Sequence, residues 1–196
     1  MPGEPRQVWL VRHGATEWSQ NGRHTGKSDI PLVDLGRRQA EGLRSTLARH
    51  NFELVLASPL QRAVETARLA GFDRTELDPD LMEWDYGEYD GLTTTRIREL
   101  DPEWSLWRTG APGGEAPVDV GRRADRVVAR LRQARHDALV FSHGHILRVL
   151  TARWLGLEPS TGRYFYLGTA GVGVLGYEHD KPVVRAWNLS ADGGPA

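Results

Sequence analysis

Apolar positions along this chain follow two rhythms. Short unbroken runs stand at VWLV (8–11), ELVLA (53–57) and ALVFS (138–142). Runs of this length, bounded by polar residues and glycine, predict strands buried on both faces, the first over residues 7–12. Elsewhere the spacing is helical. Gly36, Ala40, Leu43 and Leu47 share one face of a helix predicted from a capping Asp34 to about His50. Ser58 as N-cap, Pro59 at the first helical position and Gln61 in a capping box predict a second helix, closed by Gly71. A third, from about Asp119 to Arg135, carries Ala124, Val127, Val128 and Leu131 on its buried stripe, and HILRVLTARWLG (145–156) predicts a fourth. Three strand-like runs come last: YFYLG (164–168), VGVLGY (172–177) and PVVRAW (182–187).

Alternating strands and helices predict a three-layer α/β/α sandwich with a mostly parallel central sheet. The 196 residues suit one domain, here residues 1–189, with 190–196 as a disordered tail. Residues 78–117 are irregular and rich in Gly, Pro and Trp, and 84–117 reads as a lid. Ligands of such folds bind beyond the carboxyl ends of the strands. Arg12, His13, Ser58, Arg62, Ser142 and His143 therefore meet at one sheet edge.

Composition narrows the chemistry. A formal net charge of -1 gives no reason to expect nucleic acid or an anionic membrane as partner. Cysteine is absent, which excludes disulfides, thiolate metal sites and a thiol nucleophile. The N-terminal MPGEPRQ lacks a signal-peptide pattern, and no apolar run approaches the ~20 residues of a membrane span. The expectation is a soluble cytoplasmic protein. Only Lys27 and Lys181 are lysines, so an anion site would be built from guanidinium groups.

Two of the strands end in His-Gly, at His13-Gly14 and His143-Gly144. A phosphoryl group suits such a cluster. Arg12 and Arg62 can donate in forked pairs, and the turn His143-Gly144-His145 opens a helix whose free N–H groups favour an anion. Gly14 and Gly144 would let the backbone approach the ligand. An unprotonated imidazole is a nucleophile toward phosphorus, and a second, protonated histidine would stabilise charge on the transferring group. The leaving oxygen needs an acid. LMEWDYGEYDGL offers Glu83, Asp85, Glu88 and Asp90, and residue chemistry alone leaves the choice among them open, although apolar neighbours of Glu83 would favour a partly protonated carboxyl group.

The ordered set VWLVRHGATEW, HTGKSDIPL, LGRRQA, LASPLQRAVETA, LMEWDYGEYDG and VFSHGHILR, spanning roughly residues 8–155, resembles the histidine phosphatase superfamily, in the branch that includes cofactor-dependent phosphoglycerate mutases. The resemblance implies that His13 is the phosphorylated nucleophile. It implies that Arg12, Arg62 and His143 line the phosphate pocket, and that Glu83 protonates the leaving group and then activates water. Thr25 and Gly26 match a substrate-contacting turn, and His145 stands where mutases place a polar phosphate contact. Ser19, Tyr86 and Gly144 complete the expected substrate site. Three departures matter: Ser19 where many members have an Asn and, against the mutases, Trp84 in place of an Arg and only about sixty residues between Glu83 and His143. A short lid that admits water favours hydrolysis. WSQNGRHTG and EWDYGEYDG look most like bacterial acid phosphatases and a sugar-bisphosphate phosphatase.

The expectation is a metal-independent phosphatase of small phosphorylated metabolites, with no cofactor and with a homodimer as an option. The main alternative is a phosphoglycerate mutase. A metallophosphatase using His13, His143 and His145 with the acidic loop is disfavoured by two arginines beside any cation. A catalytically dead binding module is disfavoured because Arg12, His13, Arg62, Glu83 and His143 are all present. Trp104 and Trp107 fit core packing better than a substrate wall.

Overall fold

The computed structural model describes residues 6–190; residues 1–5 and, beyond Ser190, the tail assigned from the sequence lie outside the described residues. In chain order the elements are β1 (Val8–Arg12), α1 (Glu17–Gln20), α2 (Asp34–Leu47), β2 (Phe52–Ala57), α3 (Gln61–Leu69), β3 (Glu76–Leu77), α4 (Thr94–Leu100), α5 (Leu106–Thr109), α6 (Pro117–Gln133), β4 (Asp137–Ser142), α7 (Gly144–Trp154), β5 (Val172–Glu178) and β6 (Lys181–Leu189). The six strands form one sheet in the order β3-β2-β4-β1-β5-β6. The first four run parallel, while β5 and β6 are antiparallel.

Strand periodicity divides the core in two. Val8 and Leu10 of β1 and Ala138 and Val140 of β4 face a cluster with Val127 and Leu131 of α6 and Leu147 and Leu150 of α7. Trp9, Val11, Leu139 and Phe141 face the other way, against Leu43 and Leu47 of α2 and Ala67 of α3. The central strands are apolar at successive positions because both faces are covered. Each fully buried Leu or Val contributes roughly 1.5–3 kcal/mol, which holds the strand ends rigidly in place.

Several local expectations need correction. Ser58 does not cap α3, which begins at Gln61 after Leu60. Asp29, from a distant loop, accepts the Gln61 N–H at 2.9 Å, and the Gln61 side chain returns the bond to the Asp29 carbonyl instead of forming a capping box. Asp34 is the first residue of α2 rather than its cap. The third predicted helix starts at Pro117 and ends at Gln133. YFYLG is no strand: Pro159–Tyr164 forms a 3-10 turn, and Tyr166 and Leu167 after it line the cavity described below. The lid segment, read as irregular, holds α4 and α5 and a 3-10 turn at Gly87–Tyr89.

Candidate active site

The parallel pairing of β1 with β4 sets Arg12 opposite Ser142, and the His13 N–H donates to the Ser142 carbonyl at 2.9 Å. The Ser58 N–H donates to the Phe141 carbonyl at 2.9 Å, bringing in the end of β2. Three strand ends thus deliver their polar residues to one place. His13 is buried, and its Nδ1 lies 2.7 Å from the Gly14 carbonyl. A carbonyl only accepts, so Nδ1 holds the ring proton and Nε2 keeps its lone pair. Burial, reinforced by Arg62 and Arg12, holds the His13 pKa well below the usual histidine value. The imidazole is neutral.

Arg62 is completely buried. Its Nε donates to His143 Nδ1 at 3.1 Å, Nη1 to the Ser28 carbonyl at 2.9 Å, and Nη2 to the carbonyls of Thr25 (3.2 Å) and Gly26 (2.9 Å). His143 stands beside His13, ring centroids 5.2 Å apart. Because its Nδ1 accepts from Arg62, its proton sits on Nε2, which meets Ser58 Oγ at 2.7 Å. The condition of a protonated second histidine is not met here: burial and the neighbouring Arg62 push its pKa well below the ordinary value.

Both glycines serve packing, and Gly144 also lines the cavity described below. A Cβ on Gly14 would stand 2.3 Å from the Gly36 carbonyl oxygen, so this glycine lets β1 press against α2. A Cβ on Gly144 would stand 3.3 Å from the Arg12 guanidinium, so this one lets Arg12 lie across the start of α7. Arg12 Nη1 donates to the Leu167 carbonyl at 2.7 Å. Its Nε, by contrast, is one of two buried side-chain nitrogens without a partner among the described residues; the other is Trp9 Nε1.

Glu83 lies directly before the segment 84–117 and is buried. Its Oε1 accepts from the N–H groups of Trp84 and Ile146, and its Oε2 from that of His145, each at 2.9 Å. Two corrections follow. The surroundings of this carboxylate are donors, not the bare apolar wall expected, and it occupies two of the α7 N–H groups expected to hold an anion. Oε2, with one such bond against two at Oε1, is the oxygen with room for a further partner.

These groups surround a cavity of about 100 Å³ lined by Arg12, His13, Ser19, Thr25, Glu83, Tyr86, Gly144 and His145 from the expected set. Arg62, His143 and Gly26 stand behind it. Gly26 is held by Asp90, which accepts its N–H at 2.7 Å, and by close packing on Trp84. The cavity also takes in Arg23, His24, Arg148, Tyr166 and Leu167, which were not assigned to the site from sequence. Arg148 had a usable signal, since it lies one helical turn beyond Gly144 on α7. Tyr166 had none, its segment having been read as a strand.

The Tyr86 hydroxyl and His145 Nδ1 share a 2.6 Å hydrogen bond. Burial drives the Tyr86 pKa well above 10 and that of His145 well below its usual value, so both are neutral. Burial also lowers His24 to about 4. Burial draws Arg12, Arg62 and Arg148 below the usual arginine value, a cost that an anion would relieve. Trp104 packs in the core with its Nε1 on the Gly110 carbonyl at 2.8 Å, and Trp107 packs edge-on against Trp84. Asp85 pairs with Lys27, and Asp90 fixes Ser28. Among the described residues no group of three His, Asp or Glu side chains is arranged to hold a metal ion.

This arrangement has counterparts. Residues 8–190 match the histidine phosphatase superfamily (branch 1). The chain belongs to the histidine phosphatase superfamily. An acid phosphatase of Mycobacterium tuberculosis is 43% identical over 177 residues, covering 88% of this chain and 87% of that one. A sedoheptulose 1,7-bisphosphatase of Saccharomyces cerevisiae is 35% identical, covering 94% and 93%. The solved structure of an M. tuberculosis open-reading-frame product superposes with a TM-score of 0.92 at 40% identity, covering 95% of this chain and 98% of that one. As a histidine phosphatase with phosphatase relatives, the chain is an enzyme of the phosphoric monoester hydrolase class. No helix among the described residues is long and apolar enough to cross a membrane.

Proposed function

We propose that this enzyme hydrolyses small phosphorylated metabolites, sugar phosphates among them, through a phosphohistidine at His13 and without a metal. The observation that carries the reading is that a neutral His13, its Nδ1 proton fixed on Gly14, lines one cavity with the guanidinium-bearing Arg12. His13 Nε2 attacks phosphorus and the ester P–O bond breaks. The departing oxygen takes a proton from Glu83 Oε2. Arg12 holds the phosphoryl oxygens, with Arg62 behind it and the Gly144 N–H beside it. Water then attacks the phosphohistidine, returns a proton to Glu83 and releases inorganic phosphate as the N–P bond breaks. His143 holds Arg62 and Ser58 in register as a neutral group.

The yeast relative's name points to a phosphorylated sugar. The rim of Tyr86, His24 and His145 supports that substrate class, because uncharged donors and acceptors suit hydroxyl groups. The test is phosphate release from sugar phosphates, sugar bisphosphates, phosphoglycerates and an aryl phosphate with a chelator present. Release with an acid-labile phosphoenzyme is expected. Isomerisation of 3-phosphoglycerate on addition of bisphosphoglycerate, with no phosphate released, would select the mutase instead.

A further inference from the structure

Outside the cavity one buried arginine divides its donors between residues 80–83 and Glu115. Arg123 stands on α6 and is 8% exposed. Its Nη1 donates to the carbonyls of Asp80 (2.8 Å) and Met82 (2.5 Å), and its Nη2 to the carbonyl of Glu83 (3.1 Å). Nε and Nη2 also grip Glu115, at 2.7 and 2.9 Å. That employs the five N–H groups of a guanidinium. Glu115 extends the grip past Glu83. Its Oε2 accepts the Asp85 N–H, its carbonyl accepts Trp84 Nε1, and its own N–H donates to the Asp85 carbonyl, each at 2.9 Å.

We propose that Arg123 and Glu115 are positioning residues that set the Glu83 carboxylate for proton transfer, an inference that rests on the reading of Glu83 as acid and base. Neither residue lines the cavity. They act through the main chain on both sides of Glu83, while its carboxylate is held at the far end by the N–H groups of α7. Glu83 is suspended between two helices: α6 fixes its backbone and α7 its oxygens. A buried ion pair is a weak source of stability in itself. Here the pair's remaining donors and acceptors all go to residues 80–85, which makes placement of the acid its specific consequence. Lysine could not replace the fork, having three donors on one nitrogen.

The experiment compares Arg123→Lys with Glu83→Gln on glycerol phosphate, a poor leaving group, and on 4-nitrophenyl phosphate, an activated one. Thermal melting and phosphoenzyme trapping accompany the rates. Arg123→Lys is expected to lower kcat on glycerol phosphate by about 10²-fold and on the aryl ester by less than about tenfold, with phosphoenzyme still formed. Added to Glu83→Gln, it should cost no more than about another twofold on glycerol phosphate, since both changes act through one group. Equal losses on the two esters, or full additivity in the double variant, would overturn the proposal. Should Arg123→Lys not fold, Glu115→Gln, of similar volume, gives the same comparison. If Glu83→Gln separates the two esters and the clamp variants do not, the clamp alone falls. If Glu83→Gln fails to separate them, the acid reading falls and takes the clamp with it.

Discussion

The floor and the rim of the cavity are built differently. In the floor, side chains hold one another: Arg62 bonds His143 and three carbonyls, His143 meets Ser58, and His13 is tied to Gly14. Strand ends packed on both faces carry His13, Ser58 and His143, and the first turn of α3 carries Arg62. In the rim, exposed Arg23 rests over Trp18 with 5.9 Å to the ring, and Tyr166 is 66% exposed. The rim comes mainly from turns, with His145 and Arg148 supplied by α7. The floor has its chemistry locked in by mutual contacts that a single substitution breaks. The rim can change its side chains while the floor stays intact, so one scaffold can serve different substrates.

The largest effect tests the floor. His13→Ala leaves Arg12, Arg62 and His143 in place and removes the only proposed nucleophile, so kcat should fall by about 10⁵–10⁶-fold with no trappable phosphoenzyme. Rapid-quench trapping with labelled substrate reads this directly. A variant that keeps a tenth of the activity would end the covalent mechanism and, with it, the claim that the floor does the chemistry.

Sequence exposed the floor more readily than the rim, for a physical reason. Arg12, His13, Ser142 and His143 stand at or directly beyond buried strands whose apolar runs are unmistakable, so their convergence follows from the fold class. Glu83 became the acid through resemblance; its residue chemistry could not separate it from Asp85, Glu88 and Asp90. The structure gives two of these other partners, since Asp85 pairs with Lys27 and Asp90 holds Gly26 and Ser28. Tyr166 and Leu167 reach the cavity from the segment misread as a strand, where aromatic and β-prone residues mark the course of a packed loop. The donors spent on Glu83 by α7, and the Arg123 contacts behind it, are tertiary and leave no local pattern.

A second effect tests whether the rim is wholly loose. His24 belongs to it yet is mostly enclosed, and burial lowers its pKa from 6.5 to about 4. Between those values the unfolded chain binds a proton that the folded chain refuses, so stability is complete above pH 6.5 and declines as pH falls. His13, His143 and His145, also depressed, act in the same direction. From pH 6.5 to 5 the share of His24 is about 2 kcal/mol. Urea denaturation at these two pH values should show a steeper decline for the wild type than for His24→Gln, by roughly that amount. Equal declines would mean that His24 is open to solvent and that the rim is loose throughout.

The smallest effect bears on selectivity. Tyr166 lines the cavity mouth, and its carbonyl, not its ring, accepts the bond from Trp187 Nε1. Tyr166→Ala therefore takes an exposed ring from the rim and leaves that backbone contact available, so the melting temperature should barely move. An aromatic contact with a bound ring is worth about 1 kcal/mol, so kcat/KM for a hexose phosphate should fall by roughly fivefold. Glycerol phosphate, too small to span the distance from His13 to the mouth, should react at an unchanged rate. The ratio of the two kcat/KM values is the quantity to follow, because errors in active-enzyme concentration cancel in it. A fall shared equally by both substrates would place Tyr166 with the floor, as a residue that supports the phosphoryl site through Leu167 and Arg12. A fall confined to the hexose phosphate would show that the rim ranks substrates by what they carry beyond the phosphate.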